Sequence, residues 1–381
     1  MATGDGLIAR LLPADGALTT AALAALCDAA RTFGNGIVEV TQRGSLQLRG
    51  VRPATVDALE AAVERAGATP PPGPPVHVGP LAGLAPTEIA DPRPLAAALR
   101  ARLAAAADAL PPKFAIVVDG GGAWPLDGLS ADLRLTAVAT TDGPMWQLST
   151  DFEALSPPLT AAAAVAAAQT HASQSSRSER RRPAPRVPVP PVGVLLAPQI
   201  ADNRPLPKAV YGIALPYGFT DADCLALLVA AAEHRGADEI RLAPGHGIVF
   251  IGSGKGFDPA AFLSDAERLG FATQPGDPRL SLAVCAGAPA CASGEAPTRP
   301  LADAVVAAAA PLIAAGGSVH LSGCAKGCAR AAAADLTIVG RPGGYGLVLG
   351  GTAGDVATST TSRDRLLSDI AAMVERRLRA N

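Results

Sequence analysis

Residues 210–252 read VYGIALPYGFTDADCLALLVAAAEHRGADEIRLAPGHGIVFIG, and residues 7–50 carry the same plan. In the earlier copy LIARLL (7–12) is apolar enough for a strand. Thr19 or Thr20 can cap a helix running through AALAALCDAARTF to a Gly34-Asn35-Gly36 stop. Gly36 to Thr41 then reads as a strand, Gln42 to Ser45 as a turn, and Leu46 to Arg49 as another strand. At an offset of 202 to 203 residues, Leu12-Pro13 matches Leu215-Pro216 and the Gly34 stop matches Gly236. Val38-Glu39-Val40 matches Ile240-Arg241-Leu242, and Leu46-Gln47-Leu48 matches Ile248-Val249-Phe250. Strand, helix, strand, strand is half of a ferredoxin-like sandwich.

The agreement continues beyond these segments. Ala131-Asp132-Leu133 and Ala334-Asp335-Leu336, at the same offset, each open an apolar strand ahead of a glycine turn (Gly143; Gly343, Gly344). The expected fold is α+β and internally duplicated, with two ferredoxin-like half-domains each followed by an α/β segment. The expected divisions are 1–75 and 76–168 for the first half-domain and its segment, and 169–207 for a linker. The second half-domain is expected over 208–272 and its cysteine-bearing segment over 273–381. That segment closes on an amphipathic helix marked by Leu366, Ile370, Met373 and Val374. The linker is rich in Ser, Arg and Pro, with Arg180, Arg181 and Arg182 in a row, and reads as a solvated, partly extended connection. Glu39 and Arg241 hold equivalent repeat positions and are expected to pair across the pseudo-two-fold axis.

At 381 residues, 49% hydrophobic and 17% charged, the chain has the make-up of a globular protein with two or three cores. A net charge of −2 provides no overall attraction to nucleic acid or membrane, so any anion site must be local. No apolar run reaches the roughly 18 residues of a membrane span. The opening MATGDGLIARLLPADG lacks the basic-then-apolar plan of a signal peptide, so a cytoplasmic location is expected. Six cysteines in such a compartment favour metal or redox chemistry over disulfides.

Cys27 and Cys224 stand alone and read as small buried hydrophobes. The other four form two pairs, Cys285 and Cys291 in CAGAPAC, and Cys324 and Cys328 in SGCAKGCA. Gly287, Pro289, Gly323 and Gly327 let the backbone fold tightly and bring amide N–H groups toward a bulky anion. Thiolates on two loops with close backbone approach suit an iron–sulfur cubane. Structural zinc is the other reading, although C-x5-C is wide for a zinc knuckle.

A duplicated half-domain with C-x5-C and C-x3-C in its second copy resembles the sulfite and nitrite reductase superfamily. VTQRGSLQLRG (40–50), LPPKFAIVVDGG (110–121) and HLSGCAKGCA (320–329) carry the resemblance, which spans nearly the whole chain apart from the linker. Within that superfamily, ADLTIVGRPGGYGLVLGG (334–351) and PLAGLAPTEIADPRPL (80–95) resemble the oxygen-dependent branch that acts on precorrin-3A in aerobic cobalamin biosynthesis.

The resemblance implies that Cys285, Cys291, Cys324 and Cys328 hold a [4Fe–4S] cluster; in the sirohaem reductases the position of Cys328 also bridges to the haem iron. It implies that Arg10, Arg43 and Lys113 grip tetrapyrrole carboxylates. Gln47 and Arg49, two apart on a strand and so on one face, join them as substrate-binding candidates. Ala115 stands where the reductases carry a second lysine, and VHVGPLAG (76–83) lacks their Arg-Asn pair. Both departures favour a tetrapyrrole bound as substrate over sirohaem reducing a small oxyanion. The implied reaction hydroxylates precorrin-3A with O2 and closes a ring-acetate lactone, with reductant from an NAD(P)H-linked donor. An implied mononuclear non-haem iron wants two histidines and a carboxylate. Of five histidines, His246 in the GHG turn and His320 just ahead of Cys324 lie on segments expected near the cavity. Two other functions fit the same residues: a sirohaem-dependent sulfite or nitrite reductase, and a non-catalytic electron-transfer or tetrapyrrole-binding protein.

Overall fold

A computed structural model describes residues 2–111, 113–151, 153–174, 189–196, 209–252 and 258–379. The first copy runs β1 (Ala2–Thr3), β2 (Gly6–Leu11), β3 (Ala17–Thr19), α1 (Thr20–Phe33), β4 (Ile37–Val40), β5 (Leu46–Val51) and α2 (Val56–Arg65). Its α/β segment follows as β6 (Val76–Val78), α3 (Arg93–Leu103), β7 (Ile116–Asp119), β8 (Leu133–Thr140), β9 (Gly143–Ser149) and α4 (Ala161–Gln174). The second copy has β10 (Gly193–Leu196), β11 (Ala209–Ala214), β12 (Phe219–Asp221), α5 (Ala222–His234), β13 (Ala237–Ala243), β14 (Gly247–Gly252) and α6 (Pro259–Arg268). It ends with β15 (Leu282–Val284), α7 (Ala302–Ala308), α8 (Ala310–Ala314), β16 (Val319–Ser322), β17 (Ala334–Arg341), β18 (Gly344–Gly351), β19 (Ser359–Thr361) and α9 (Leu366–Arg379).

Local chemistry explains the matching starts of the two long helices. Thr19 Oγ1 accepts from the Ala22 amide at 3.0 Å and Asp221 Oδ1 from the Asp223 amide at 2.7 Å, satisfying donors that a helix end leaves free. The helices then pack together. Leu23, Leu26 and Cys27 of α1 and Leu225, Leu228 and Val229 of α5 lie in one core with Val38, Leu48, Ile240 and Phe250. Each fully buried leucine stabilises that core by roughly 1.5–3 kcal/mol, so the half-domains cannot part without a large loss.

The strands are exchanged as well. One sheet has the order β1-β2-β5-β4-β12 and the other β10-β11-β14-β13-β3, so each half-domain lends an edge strand to its partner. Phe219 of β12 lies opposite Glu39 of β4, and Ala17 of β3 lies opposite Arg241 of β13. Exchange closes an edge that would otherwise expose unpaired backbone groups.

The α/β segments form the sheets β6-β7-β8-β9 and β15-β16-β17-β18-β19, parallel at first and then antiparallel. Asp132 Oδ2 accepts from the Ala115 amide and Asp335 Oδ2 from the Ser318 amide, each at 2.8 Å. Donor and acceptor alike recur at the repeat offset read from the sequence.

Three features differ from expectation. Glu39 and Arg241 do not pair: Arg241 donates to Glu239 (2.7 Å) and to the carbonyls of Pro80 (3.2 Å) and Ala82 (2.7 Å), while Glu39 binds Arg299. With an exchanged strand flanking each of them, the two side chains face the α/β segments and not one another. Cys224 is half-buried, unlike the fully buried Cys27. The expected linker is entered by α4, and β10 adds an edge strand to the second sheet. Residues 175–188 and 197–208, with the arginine run, lie outside the described residues. Among the described residues no helix is long and apolar enough to cross a membrane.

Candidate active site

Parallel pairing of β15 with β16 places the two cysteine loops side by side, because each loop leaves the same end of its strand. The Cys285 amide donates to the Leu321 carbonyl at 3.3 Å, and the Gly323 amide donates to Cys285 Sγ at 3.0 Å. The Gly323 carbonyl in turn accepts from the Glu295 (2.7 Å) and Ala296 (3.3 Å) amides. A Cβ at Gly323 would lie 2.8 Å from Gly287 Cα, so glycine is what allows this approach. Gly287 and Gly327 turn the loops with φ of 61° and 60°. Lys326 Nζ donates to Ser293 Oγ at 2.7 Å, bridging the loops from outside.

The thiols share one electrostatic neighbourhood. Burial pushes the Cys328 thiol above its ordinary value; the charges of Cys324, Cys285 and Cys291 push the same way, while Lys326 pulls against them. Cys324 is buried, Cys285 and Cys291 are half-buried and Cys328 is exposed. The donor set and the close glycine backbone suit a cubane, whose four irons each take one cysteine, while among the described residues no three His, Cys, Asp or Glu side chains are already gathered as a single-ion site.

A row of side chains crosses the first half-domain's sheet. Strand register sets Arg10 opposite Gln47, Gln47 opposite Glu39, and Glu39 opposite Phe219. With its amide oriented to satisfy both neighbours, Gln47 donates to Glu39 Oε2 at 2.8 Å and accepts from Arg10 Nε at 2.7 Å. Arg299, from the loop after the second cysteine, binds Glu39 and lies 4.2 Å over the Phe219 ring. Its Nε and Nη1 are buried without a partner. The corresponding row of the second sheet, Gly212, Val249, Arg241 and Ala17, is largely apolar. A Cβ at Gly212 would collide with Pro191, and Val249 packs against Leu81 and Ala85. The copies have therefore diverged, leaving the polar face to the first.

Arg43, in the β4–β5 turn, is half-buried with Nη2 unpartnered. Burial pulls its pKa down while Asp132 and Asp151 oppose the shift. It lines a small cavity with Asp15, His77 and Leu129. Lys113 is exposed with φ of 65°, two residues before the Ala115 amide that Asp132 holds. Arg49 is placed differently from a substrate ligand. It is 4% exposed, and its guanidinium is taken up by Asp5, Glu39 and the Ala290 carbonyl.

The histidines do not assemble an iron site. His246 Nδ1 faces the Val40 carbonyl and Nε2 lies 2.9 Å from Gln42 Nε2, so both ring nitrogens are engaged within the protein. His320 is fully buried with both nitrogens unpartnered, and its pKa is pushed down to about 4 by burial, with Arg330 adding to the effect. Among the described residues no three His, Cys, Asp or Glu side chains converge on a single-ion site. Among the described residues His246 and His320 thus do not form a two-histidine, one-carboxylate set.

Arg299, Phe219 and Asp5 escaped the sequence reading. Arg299 meets Glu39 across 260 residues of chain, and no local pattern marks such a contact.

Comparison with known proteins agrees with this architecture. Residues 1–66 match the family model of the nitrite/sulfite reductase ferredoxin-like half domain. The chain is similar to precorrin-3B synthase from Sinorhizobium sp, at 38% identity covering 97% of this chain and 85% of that one. It is also similar in fold to the Mycobacterium tuberculosis NirA protein, with a TM-score of 0.71 at 18% identity, covering 97% of this chain and 80% of the other. An extent and identity of this size with the first relative assign the chain to the precorrin-3B synthase family, oxidoreductases built on the sulfite/nitrite reductase fold.

Proposed function

We propose that this protein is a precorrin-3B synthase-like monooxygenase of aerobic cobalamin biosynthesis, acting on precorrin-3A. The observation that carries the reading is the meeting of the two cysteine loops beside the first half-domain's arginine-bearing sheet. Similarity to the Sinorhizobium enzyme over nearly the whole chain supports the choice of substrate.

In the proposed reaction one atom of O2 adds across a carbon–carbon double bond of the macrocycle, leaving a hydroxyl on one carbon while a ring acetate's carboxylate closes a lactone on its neighbour. The other oxygen atom leaves as water, with two electrons from an NAD(P)H-linked donor and two protons. Cys285, Cys291, Cys324 and Cys328 would hold a [4Fe–4S] cluster, which when bound supplies one-electron transfer. The chain's own residues bind and orient. Arg43 and Arg299 keep guanidinium nitrogens unspent, and such groups take carboxylates as bidentate forks. Arg10, held by Gln47, offers a third cation on the same face, with Lys113 at the rim. Phe219 adds an apolar surface under Arg299 suited to a macrocycle edge.

The test is incubation of anaerobically prepared precorrin-3A with cluster-loaded protein, reductant and O2. Conversion to a product one oxygen atom heavier supports the proposal. An unchanged substrate mass would make the protein a tetrapyrrole binder, and an intense Soret band in the purified protein would make it a sirohaem reductase.

A further inference from the structure

Gly4, in the turn between β1 and β2, is exposed, yet its backbone lies directly on the C-x5-C loop. A Cβ built there would stand 2.5 Å from the Pro289 carbonyl oxygen, 2.9 Å from the Ala292 nitrogen and 3.0 Å from the Cys291 carbonyl carbon. The next residue, Asp5, receives Arg49 through two bonds, Nε to Oδ2 at 3.0 Å and Nη2 to Oδ1 at 2.9 Å. The same Nη2 reaches the Ala290 carbonyl at 3.2 Å, one residue before Cys291 and 241 residues from Arg49 in the chain. Thr3 Oγ1 donates to Asp5 Oδ1 and to the Gly6 carbonyl, both at 2.7 Å, and Asn35 Nδ2 donates to Asp5 Oδ2 at 3.1 Å. The Arg49 and Asp5 side chains are 5% and 13% exposed. So buried a pair is retained at a desolvation penalty that complete geometry must offset, and one of its bonds, Arg49 Nη2 to the Ala290 carbonyl, reaches the C-x5-C loop.

We infer that Gly4, Asp5 and Arg49 form a positioning device through which the first half-domain fixes Cys291 for cluster binding. The inference rests on reading the four cysteines as cluster ligands. Between Cys285 and Cys291 the loop turns at Gly287, with φ of 61°, and is closed by the Cys291 amide donating to the Gly287 carbonyl at 2.7 Å and the Ala288 amide to the Ala296 carbonyl at 3.0 Å. The clamp anchors this closed turn to the first half-domain, so the thiols are preorganised before metal arrives and the loop stays closed over the cluster afterwards. In a protein that consumes O2, a loop that opens would admit oxidant to the cluster edge, where Cys328 is already exposed.

The experiment compares wild type with Gly4→Ala, Arg49→Met and Arg49→Lys, each reconstituted anaerobically with iron and sulfide. The readouts are iron and sulfide per chain, the rate of cluster bleaching in air, and the melting temperature. Gly4→Ala, whose Cβ meets the backbone of the loop, is expected to melt slightly below wild type and to bleach at least about tenfold faster, the factor that 1.4 kcal/mol of lost closure represents. Arg49→Met is expected to load less cluster. Arg49→Lys should fall between, since an ammonium cannot serve the Asp5 carboxylate and the Ala290 carbonyl as a planar fork. Variants that load and bleach like a cluster-bearing wild type overturn this inference alone. A wild type that builds no cluster overturns the cysteine reading and this inference with it.

Discussion

The Gly323 amide donates to Cys285 Sγ at 3.0 Å, joining loops whose cysteines belong to different pairs. Hydrogen bonds from backbone N–H groups to cluster sulfurs are among the levers a protein has on such a site. The contact depends on the absence of a side chain, since a Cβ at Gly323 would also lie 3.2 Å from the Ala296 carbonyl. Gly323→Ala is therefore expected to destabilise the fold by about 1–3 kcal/mol, as overpacking does. It should also lower iron incorporation. Urea unfolding and iron analysis of the reconstituted variant check both.

Arg43 and Arg299 each hold buried guanidinium nitrogens without a partner. If they receive substrate carboxylates, Arg43→Ala and Arg299→Ala each remove a charge-assisted bond worth roughly 1.5–3 kcal/mol. The expected result is a rise in KM for the tetrapyrrole of about 10- to 100-fold, with a much smaller change in kcat. Steady-state kinetics and anaerobic binding titrations measure the split. Arg49→Met should show a different pattern, losing cluster before substrate affinity, because its guanidinium is already committed to Asp5 and Ala290.

His77 and His320 make stability fall in acid. Burial pushes the His77 pKa down to about 3, with Arg43 and Arg100 adding to the shift, and the His320 pKa down to about 4. Both are neutral in the folded protein near pH 7 and take up a proton more readily when unfolded, where the ordinary value is 6.5. Their contribution is whole above pH 6.5 and is lost as pH falls from there toward the folded values. The loss reaches on the order of a few kcal/mol by pH 4. Melting temperature measured against pH should drop across that window, and His77→Gln should flatten the slope.

Asp132 and Asp335 perform one task in two copies, each accepting from the amide that precedes a parallel strand. Removing either leaves a part-buried donor unsatisfied, at about 1–3 kcal/mol. Asp132→Ala and Asp335→Ala are expected to destabilise to similar degrees in chemical denaturation. A large effect at one site and none at the other would argue against equivalent roles.

Much of the fold was legible because its signals are local. Thr19, the Gly34 stop and the alternation of Val38, Val40, Leu46 and Leu48 each belong to a short segment, and their recurrence near Asp221, Gly236 and Ile240 shows the duplication. The paired cysteines were visible for the same reason: spacing and neighbouring glycines lie within a few residues. What those segments meet was hidden. Gln47 and Arg49 share a strand face, as alternation requires, but that this face presses Arg49 onto Ala290 is settled by packing between distant halves. Strand exchange likewise turned Glu39 from Arg241 toward Arg299. His246 lies in the GHG turn and His320 just ahead of the second cysteine loop, and nearness in sequence does not orient a ring.

We propose that Cys285, Cys291, Cys324 and Cys328 together bind one iron–sulfur cluster. Iron, sulfide and zinc analysis of anaerobically purified protein, with its visible spectrum and that of Cys324→Ser, tests it most directly. About four iron and four sulfide per chain are expected. A broad brown shoulder without a Soret band, lost in Cys324→Ser, is expected with them. Zinc without sulfide, or a spectrum that Cys324→Ser leaves intact, would contradict it.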